Sequence, residues 1–158
     1  MRRTAVAVAL AAIACGLTGC SGLQFVEDQR LSFTSPADSK LTQLPVTLSW
    51  TMKDFATTGS GAGSFAVFID RAPIKVGHNI RSVLAKNVAF SEQQLEQQNV
   101  YVTKDTKVVL TLVPRIRYDK AVRQRHTATV ILLDDDGTRR TESAWIRSFD
   151  LDAKGSAS

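Results

Sequence analysis

The sequence has 158 residues, a formal net charge of +5 at neutral pH and two cysteines, and 44% of its residues are hydrophobic. A chain of this length is sufficient for one domain with its own hydrophobic core. Its modest charge gives no reason to expect a nucleic-acid-binding protein, and the sequence has no internal repeat or interdomain linker.

The first twenty residues have the pattern of an export signal. Arg2 and Arg3 precede an apolar run, Ala5–Ala14, which is too short for a permanent membrane-spanning helix. The segment closes with Leu17-Thr18-Gly19-Cys20. It resembles the signal of bacterial lipoproteins, whose lipobox reads Leu-[Ala/Ser/Thr]-[Gly/Ala]-Cys. The resemblance implies cleavage before Cys20 and a diacylglycerol on its thiol; an uncleaved anchor and an ordinary signal with a coincidental cysteine are the alternatives.

The lipoprotein interpretation divides the chain into a signal peptide (1–19), a lipidated cysteine with a short linker (20–30), a folded domain (31–151) and a disordered polar tail (152–158). Cleavage removes Arg2, Arg3 and Cys15, which lowers the net charge from +5 to +3. Once Cys20 is acylated, no free thiol is left. Two acyl chains hold a protein firmly to a bilayer. We therefore expect it on the extracytoplasmic face of the cell membrane or the outer membrane, close to the lipid surface.

Apolar and polar residues alternate with a period of two through most of the remaining chain, which predicts β-strands. Val46–Met52 shows this alternation most clearly, whereas Phe65–Ile69 is apolar throughout and indicates a more fully buried strand. The predicted strands are Leu31–Phe33, Val46–Met52, Phe65–Ile69, Val100–Val102, Val108–Val113, His126–Leu133 and Thr138–Leu151. The last two form a hairpin, because Asp136-Gly137 favours the positive φ angles of a tight turn.

Two short segments have helical signals. Ile80, Val83 and Leu84 have helical spacing, and Asn79 is a candidate N-cap for them. A second segment, Ser91–Gln98, opens with a capping-box pattern. About seven short strands with one or two helical turns predict an all-β fold, a single antiparallel β-sandwich.

The segment Leu44-Pro45-Val46-Thr47-Leu48-Ser49-Trp50-Thr51 resembles the second strand of fibronectin type III domains, in which a tryptophan packs between the two sheets. The resemblance implies that Phe65–Ile69 is the third strand and that His126–Leu133 and Ala144–Leu151 are the last two. Trp50 is then a core residue. Such domains carry a tyrosine near the start of the sixth strand, and this sequence has none there. We therefore expect an immunoglobulin-like or fibronectin-like sandwich in the broader sense.

Patterns that bear on catalysis or metal binding are weak. Asp134-Asp135-Asp136-Gly137 has consecutive acids, not the alternating acids of an EF-hand, so it predicts a solvated turn; a weak exposed cation site is the alternative. His78 and His126 lack partners at metal-ligand spacing, and each is expected to be a surface or strand-end residue with a satisfied hydrogen bond. Gly59–Ser64 is interpreted as a flexible loop, since it lacks the lysine of a phosphate-binding loop. The sequence thus predicts no enzyme, no metal and no cofactor.

A cluster of basic residues provides the strongest candidate contact, with Tyr118 among them and Asp119 as the opposing acid. Its members are Arg115, Arg117, Lys120, Arg123 and Arg125, which we interpret as a basic loop. Basic residues near a membrane attract anionic lipid headgroups by about 1 kcal/mol each. The same charge suits an acidic protein or polymer, including another envelope protein. A solvated loop with no partner is the alternative.

The sequence therefore predicts a membrane-anchored envelope lipoprotein that acts as a non-enzymatic binding or scaffold module. Gly59–Ser64 and the basic loop are its candidate contact regions. One alternative is a ligand-binding accessory lipoprotein for transport or envelope assembly, with a small apolar pocket between the sheets. A hydrolase with an unrecognised site is a further alternative.

Overall fold

The computed structural model of the protein describes residues 28–113 and 123–152. These residues form eight strands, one 3₁₀ turn (Ile80–Val83) and one short α-helix, α1 (Glu92–Gln97). The strands are β1 (Leu31–Ser35), β2 (Lys40–Thr42), β3 (Val46–Met52), β4 (Ser64–Ile69), β5 (Val100–Thr103), β6 (Lys107–Leu110), β7 (Arg123–Leu133) and β8 (Trp145–Asp152).

The strands form two sheets, a three-stranded sheet of order β1-β3-β6 and a five-stranded sheet of order β2-β8-β7-β4-β5. The pairings are antiparallel except for β2, which runs parallel to β8. The predicted all-β sandwich is confirmed. The sequence does not predict β2, because it has only three residues, two exposed and one partly exposed, and they show no alternation of polar and apolar side chains long enough to indicate a strand.

The main core lies between the two sheets. β3 directs Val46, Leu48 and Trp50 inward, and its intervening residues face outward, as its alternating sequence predicts. Trp50 is 2% exposed, and its ring lies 5.3 Å from that of Phe65, centroid to centroid. The prediction that Trp50 is a core residue is confirmed. The buried residues of this core are Leu31, Val46, Leu48, Trp50, Phe65, Val67, Ile69, Val108, Leu110, Ala128, Val130, Leu132, Trp145, Phe149 and Leu151.

A second core lies on the outer face of the five-stranded sheet. There Phe68 of β4 packs with Ile80 of the 3₁₀ turn and Leu95 of α1. β4 is therefore covered on both faces, which explains why its sequence is apolar throughout. The two predicted helical turns are confirmed: the Asn79 side chain accepts a hydrogen bond from the Arg81 amide, and the Ser91 hydroxyl accepts one from the Gln94 amide.

The sandwich has two distinct ends. Leu31 pairs with Met52 at one end of β3, and Leu110 pairs with Val46 at the other. We call the first the proximal end; it carries residues 28–30, the β3–β4 loop and the β7–β8 connection. The second, the distal end, carries residues 111–113 and the beginning of β7. The eleven residues of β7 give the long axis a length of about 36 Å.

Several boundaries differ from the sequence prediction. β8 begins at Trp145 and not at Thr138, because the chain leaves the ladder after Arg139 bridges Leu133. β7 begins three residues before His126, and β6 ends at Leu110, before the predicted Val113. Asp152, assigned to the polar tail, is the last residue of β8.

Candidate functional site

The basic residues divide between described and undescribed parts of the chain. Cys20, Arg115, Arg117 and Lys120 lie outside the described residues, whereas Arg123 and Arg125 are described. The interpretation of these two as loop residues is wrong, since both belong to β7. Both arginines are exposed in the alternating pattern of the strand.

Arg125 is the better defined of the two arginines. Its Nε donates a hydrogen bond to Asp150 Oδ1 over 3.1 Å, and its side chain remains 65% exposed. So exposed an ion pair contributes little to folding stability, about 0 to 1 kcal/mol. Arg125 and the neighbouring Arg123 therefore place exposed guanidinium groups at the distal end, directly across the ladder from Asp150 and Asp152.

The intervening residues of β7 point inward and form a buried polar layer beneath the arginines. His126 is 1% exposed, and its Nδ1 lies 2.6 Å from Asp70 Oδ2. The other Asp70 oxygen accepts a hydrogen bond from the Thr127 amide over 2.8 Å. The imidazole also stacks on Phe149, with ring centroids 5.7 Å apart. These contacts fix the start of β7 against the chain that leaves β4.

The two histidines are far from forming a shared site. His126 has the satisfied hydrogen bond that the sequence predicts, but it is a buried residue within the strand. His78 is exposed at the proximal end, where its carbonyl accepts a hydrogen bond from the Arg139 amide. Since His126 is at the distal end, its ring and that of His78 serve different parts of the fold.

A surface groove of about 480 Å³ lies beside α1 and the edges of β5 and β6. Glu96 and Tyr101 contribute polar groups to it, while Val109 and Leu112 are 51% and 71% exposed. Burial, and to a smaller extent the charge of Glu96, raises the pKa of the Tyr101 phenol, so Tyr101 is a neutral donor at neutral pH. The groove ends at Val113, where the chain continues into the basic segment.

At the proximal end, Asp28 fixes the point at which the chain enters the domain. Its Oδ2 accepts hydrogen bonds from Ser143 Oγ and from the Arg30 guanidinium, each over 2.6 Å. Its carbonyl accepts a hydrogen bond from Trp145 Nε1. The Arg30 hydrogen bonds hold the pKa of Asp28 well below its usual range. Residues assigned to the linker are thus part of the fold from Asp28 onward.

Arg139 organises the interruption between β7 and β8. It is 7% exposed, and its guanidinium donates to the carbonyls of Thr141, Glu142 and Ile74 at 2.9, 2.8 and 2.5 Å. Burial lowers the pKa of this guanidinium from its ordinary value. The chain leaves the β-ladder after Arg139, so backbone carbonyls of the following residues lack ladder partners. The Arg139 guanidinium supplies hydrogen-bond donors to them. No sequence pattern predicts this role, since the neighbouring Arg140 has the same side chain.

The acidic turn uses its carboxylates to hold the hairpin. Asp134 Oδ1 accepts a hydrogen bond from Arg140 Nε over 2.5 Å. Asp136 accepts from both the amide and the hydroxyl of Thr138, at 2.8 and 3.0 Å. Across residues 28–113 and 123–152, no group of three His, Cys, Asp or Glu side chains is placed to hold a metal ion.

The glycine-rich loop has defined contacts in the structure. The Gly63 amide donates to the Ala56 carbonyl over 2.9 Å, and the Arg140 guanidinium donates to the Gly61 carbonyl over 3.1 Å. A Cβ placed on Gly63 would lie 2.2 Å from the Leu133 carbonyl oxygen. Gly63 is therefore required for close approach of two backbone segments, a role that the interpretation as a flexible loop missed.

Comparisons with protein-family models, with curated proteins and with solved structures gave no match. The described part of the chain also contains no helix with the length and apolar character needed to span a membrane. The candidate site is therefore identified only from the positions and contacts of residues at the proximal and distal ends of the sandwich.

Proposed function

We propose that this protein is a lipid-anchored lipoprotein of the bacterial envelope and acts there as a non-enzymatic binding or scaffold module. The lipobox motif that ends at Cys20 supports the anchor. The fixed position of Asp28 supports an arrangement in which the proximal end faces the membrane and the distal end faces a partner.

The strand order supports the immunoglobulin-like resemblance. Immunoglobulin domains place strands C, F and G on one sheet and A, B and E on the other. Here β4, β7 and β8 occupy the first set of positions, and β1, β3 and β6 occupy the second. Such sandwiches often bind partners through strand edges and end loops, which is an analogy at the level of the fold.

The observation that carries the proposal is the separation of the tether from the basic residues. Eight residue steps join Cys20 to Asp28, and they reach about 29 Å at most. The long axis of the sandwich is about 36 Å. Arg123 and Arg125 therefore lie at the end of the sandwich farther from the anchoring membrane when the proximal end faces it. An acidic envelope protein or polymer then fits the distal end better than the headgroups of that membrane.

The burial of His126 supports a non-enzymatic function. A general base must reach the proton that it abstracts from a substrate. The His126 ring is 1% exposed and is enclosed by Asp70 and Phe149, so this pair serves the fold.

The groove beside α1 supports a second candidate, a ligand-binding accessory lipoprotein. Its volume of about 480 Å³ lies in the range of small-molecule sites. Glu96 and Tyr101 would orient a polar ligand against Val109 and Leu112. Native mass spectrometry of the purified protein tests this candidate, which requires a ligand that copurifies and is lost after Leu112→Asp.

The main proposal is tested by isolating complexes from detergent-solubilised envelope. The test variant combines Arg117→Glu, Lys120→Glu and Arg123→Glu and leaves Arg125 in its ion pair with Asp150. We expect this variant to lose a partner that the native chain retains. A control reverses charge at the proximal end with Lys53→Glu and Lys75→Glu, and it should retain the partner. Equal recovery with both variants would contradict a binding role for Arg117, Lys120 and Arg123.

A further inference from the structure

We infer that a surface formed by Arg81, Lys86, Val88 and Phe90 contacts the membrane to which the protein is anchored. This inference rests on the proposed lipid anchor at Cys20. It identifies the side of the proximal end that lies against the lipid, and its partner is the bilayer itself.

The position of Phe90 is the first support. Phe90 lines a cavity together with Ser64, the first residue of β4, and Gly137 of the hairpin turn, which places it at the proximal end. Asp28 accepts hydrogen bonds from Ser143, near the other end of the β7–β8 connection in sequence, and from Trp145, the first residue of β8. Phe90 and Asp28, where the tether enters the described fold, are therefore both at the proximal end.

The composition of the surface is the second support. Phe90 is 42% exposed and Val88 is 38% exposed, and both line a surface cavity with Arg81 and Lys86. The Arg81 guanidinium carbon lies 4.7 Å from the Phe90 ring centroid. Apolar side chains beside cations are typical of surfaces that lie in the membrane interface, where the apolar groups enter the headgroup layer and the cations meet phosphate.

The acidic turn beside this surface limits how much charge can contribute. Asp135 is exposed, whereas the Asp136 carboxylate is bonded to Thr138. Arg81 lines one cavity together with Asp135, whose carboxylate offsets part of its attraction to anionic lipid, so apolar contact through Phe90 contributes most of the binding free energy. Neutral and anionic bilayers should both support the contact.

The length of the tether is the third support. A chain of eight residue steps, about 29 Å at most, keeps the proximal end beside the bilayer while the acyl chains remain inserted. At this separation, even a weak apolar contact is favoured, because the tether makes the encounter intramolecular.

The inference is tested with the lipidated full chain reconstituted into vesicles of phosphatidylethanolamine and phosphatidylglycerol. Acylation of Cys20 and loss of Cys15 allow one introduced cysteine to be labelled alone with an environment-sensitive fluorophore. Val88→Cys places the label on the proposed contact. Leu112→Cys is the matched control, since Leu112 is an exposed apolar residue towards the distal end. Quenching by nitroxide lipids then reports contact with the bilayer.

We expect quenching to be several-fold stronger at position 88 than at position 112, and Phe90→Ser should reduce it. A Lys86→Cys label repeats the measurement at an exposed position if Val88→Cys perturbs folding. Equal quenching at both ends, in protein that carries its acyl chains, would overturn this inference alone. Protein that carries no acyl chains and does not float with vesicles would overturn the proposed function and this inference together.

Discussion

The two ends of the sandwich are stabilised in different ways. At the proximal end, Asn79 and Arg139 donate hydrogen bonds to distant backbone carbonyls. Asp28 accepts hydrogen bonds there from the side chains of Ser143 and Trp145. At the distal end, the buried His126–Asp70 pair and the Arg125–Asp150 ion pair hold the start of β7. Hydrogen bonds thus fix the loops of the proximal end, which suits the end at which we propose that the domain is tethered to the membrane. The distal end leaves charged side chains exposed for a partner.

The largest expected loss of stability follows from removing Arg139. Arg139→Met leaves three carbonyls in partly buried surroundings without these donors, and we expect the free energy of unfolding to fall by about 3 kcal/mol. Urea denaturation of the chain that begins at residue 21 measures this change. Arg140→Met is the matched control, and its loss should be about 1 kcal/mol, since that ion pair is partly exposed. Equal losses would contradict a special role for Arg139.

The close approach at Gly63 gives the next largest effect. Gly63→Ala places a Cβ 2.2 Å from the Leu133 carbonyl oxygen, so the two segments must separate, at a cost of about 2 kcal/mol. Gly59→Ala is the control: its Cβ meets nothing within 4 Å, but its φ of +90° costs about 1 kcal/mol. Denaturation midpoints compare the two. A smaller loss for Gly63→Ala than for Gly59→Ala would refute the packing argument.

At the distal end, Asp70→Ala removes the partner of His126 and the acceptor of the Thr127 amide. We expect a loss of about 1.5 kcal/mol, because a buried imidazole is left without its hydrogen bond. Asp150→Ala, which breaks the exposed Arg125 ion pair, should cost less than about 1 kcal/mol. If the two variants unfold at the same urea concentration, the distal end does not depend on the buried pair.

The smallest effect concerns Asp28 and depends on pH. The Arg30 hydrogen bonds lower the pKa of Asp28 in the folded protein, so its contribution to stability is complete above the ordinary carboxyl pKa of about 3.9. That contribution declines as the pH falls through the lower folded value. Asp28→Asn should therefore cost about 1 kcal/mol at pH 7 and progressively less below pH 4. A difference between the two proteins that stays constant from pH 7 to pH 2 would contradict this assignment.

The sequence predicts the parts of the fold that depend on local patterns. β3 and β4 follow from alternation and from continuous apolar character, and the caps at Asn79 and Ser91 follow from short motifs. Arg139 gives no such signal, because one of its acceptors, the Ile74 carbonyl, is 65 residues away. Side-chain hydrogen bonds to distant backbone leave no periodic trace in a sequence.

Of the candidate site, only the presence of clustered basic residues is predictable from the sequence. The cluster of arginines and lysine is visible in the sequence, but the position of its two described members, Arg123 and Arg125, at the end opposite Asp28 depends on strand register. β7 extends back to Arg123 because exposed and buried residues keep alternating along it. The buried residues of this part, Gln124 and His126, are polar. Polar residues at inward positions conceal a strand from any pattern based on hydrophobicity.

Intact mass spectrometry of the native protein, extracted from bacterial membranes, tests the central claim most directly. We expect a chain that starts at Cys20 and carries the mass of a diacylglycerol, with further acylation adding to that mass. A chain that retains residues 1–19, or one in which Cys20 is unmodified, would contradict the anchored, two-ended arrangement.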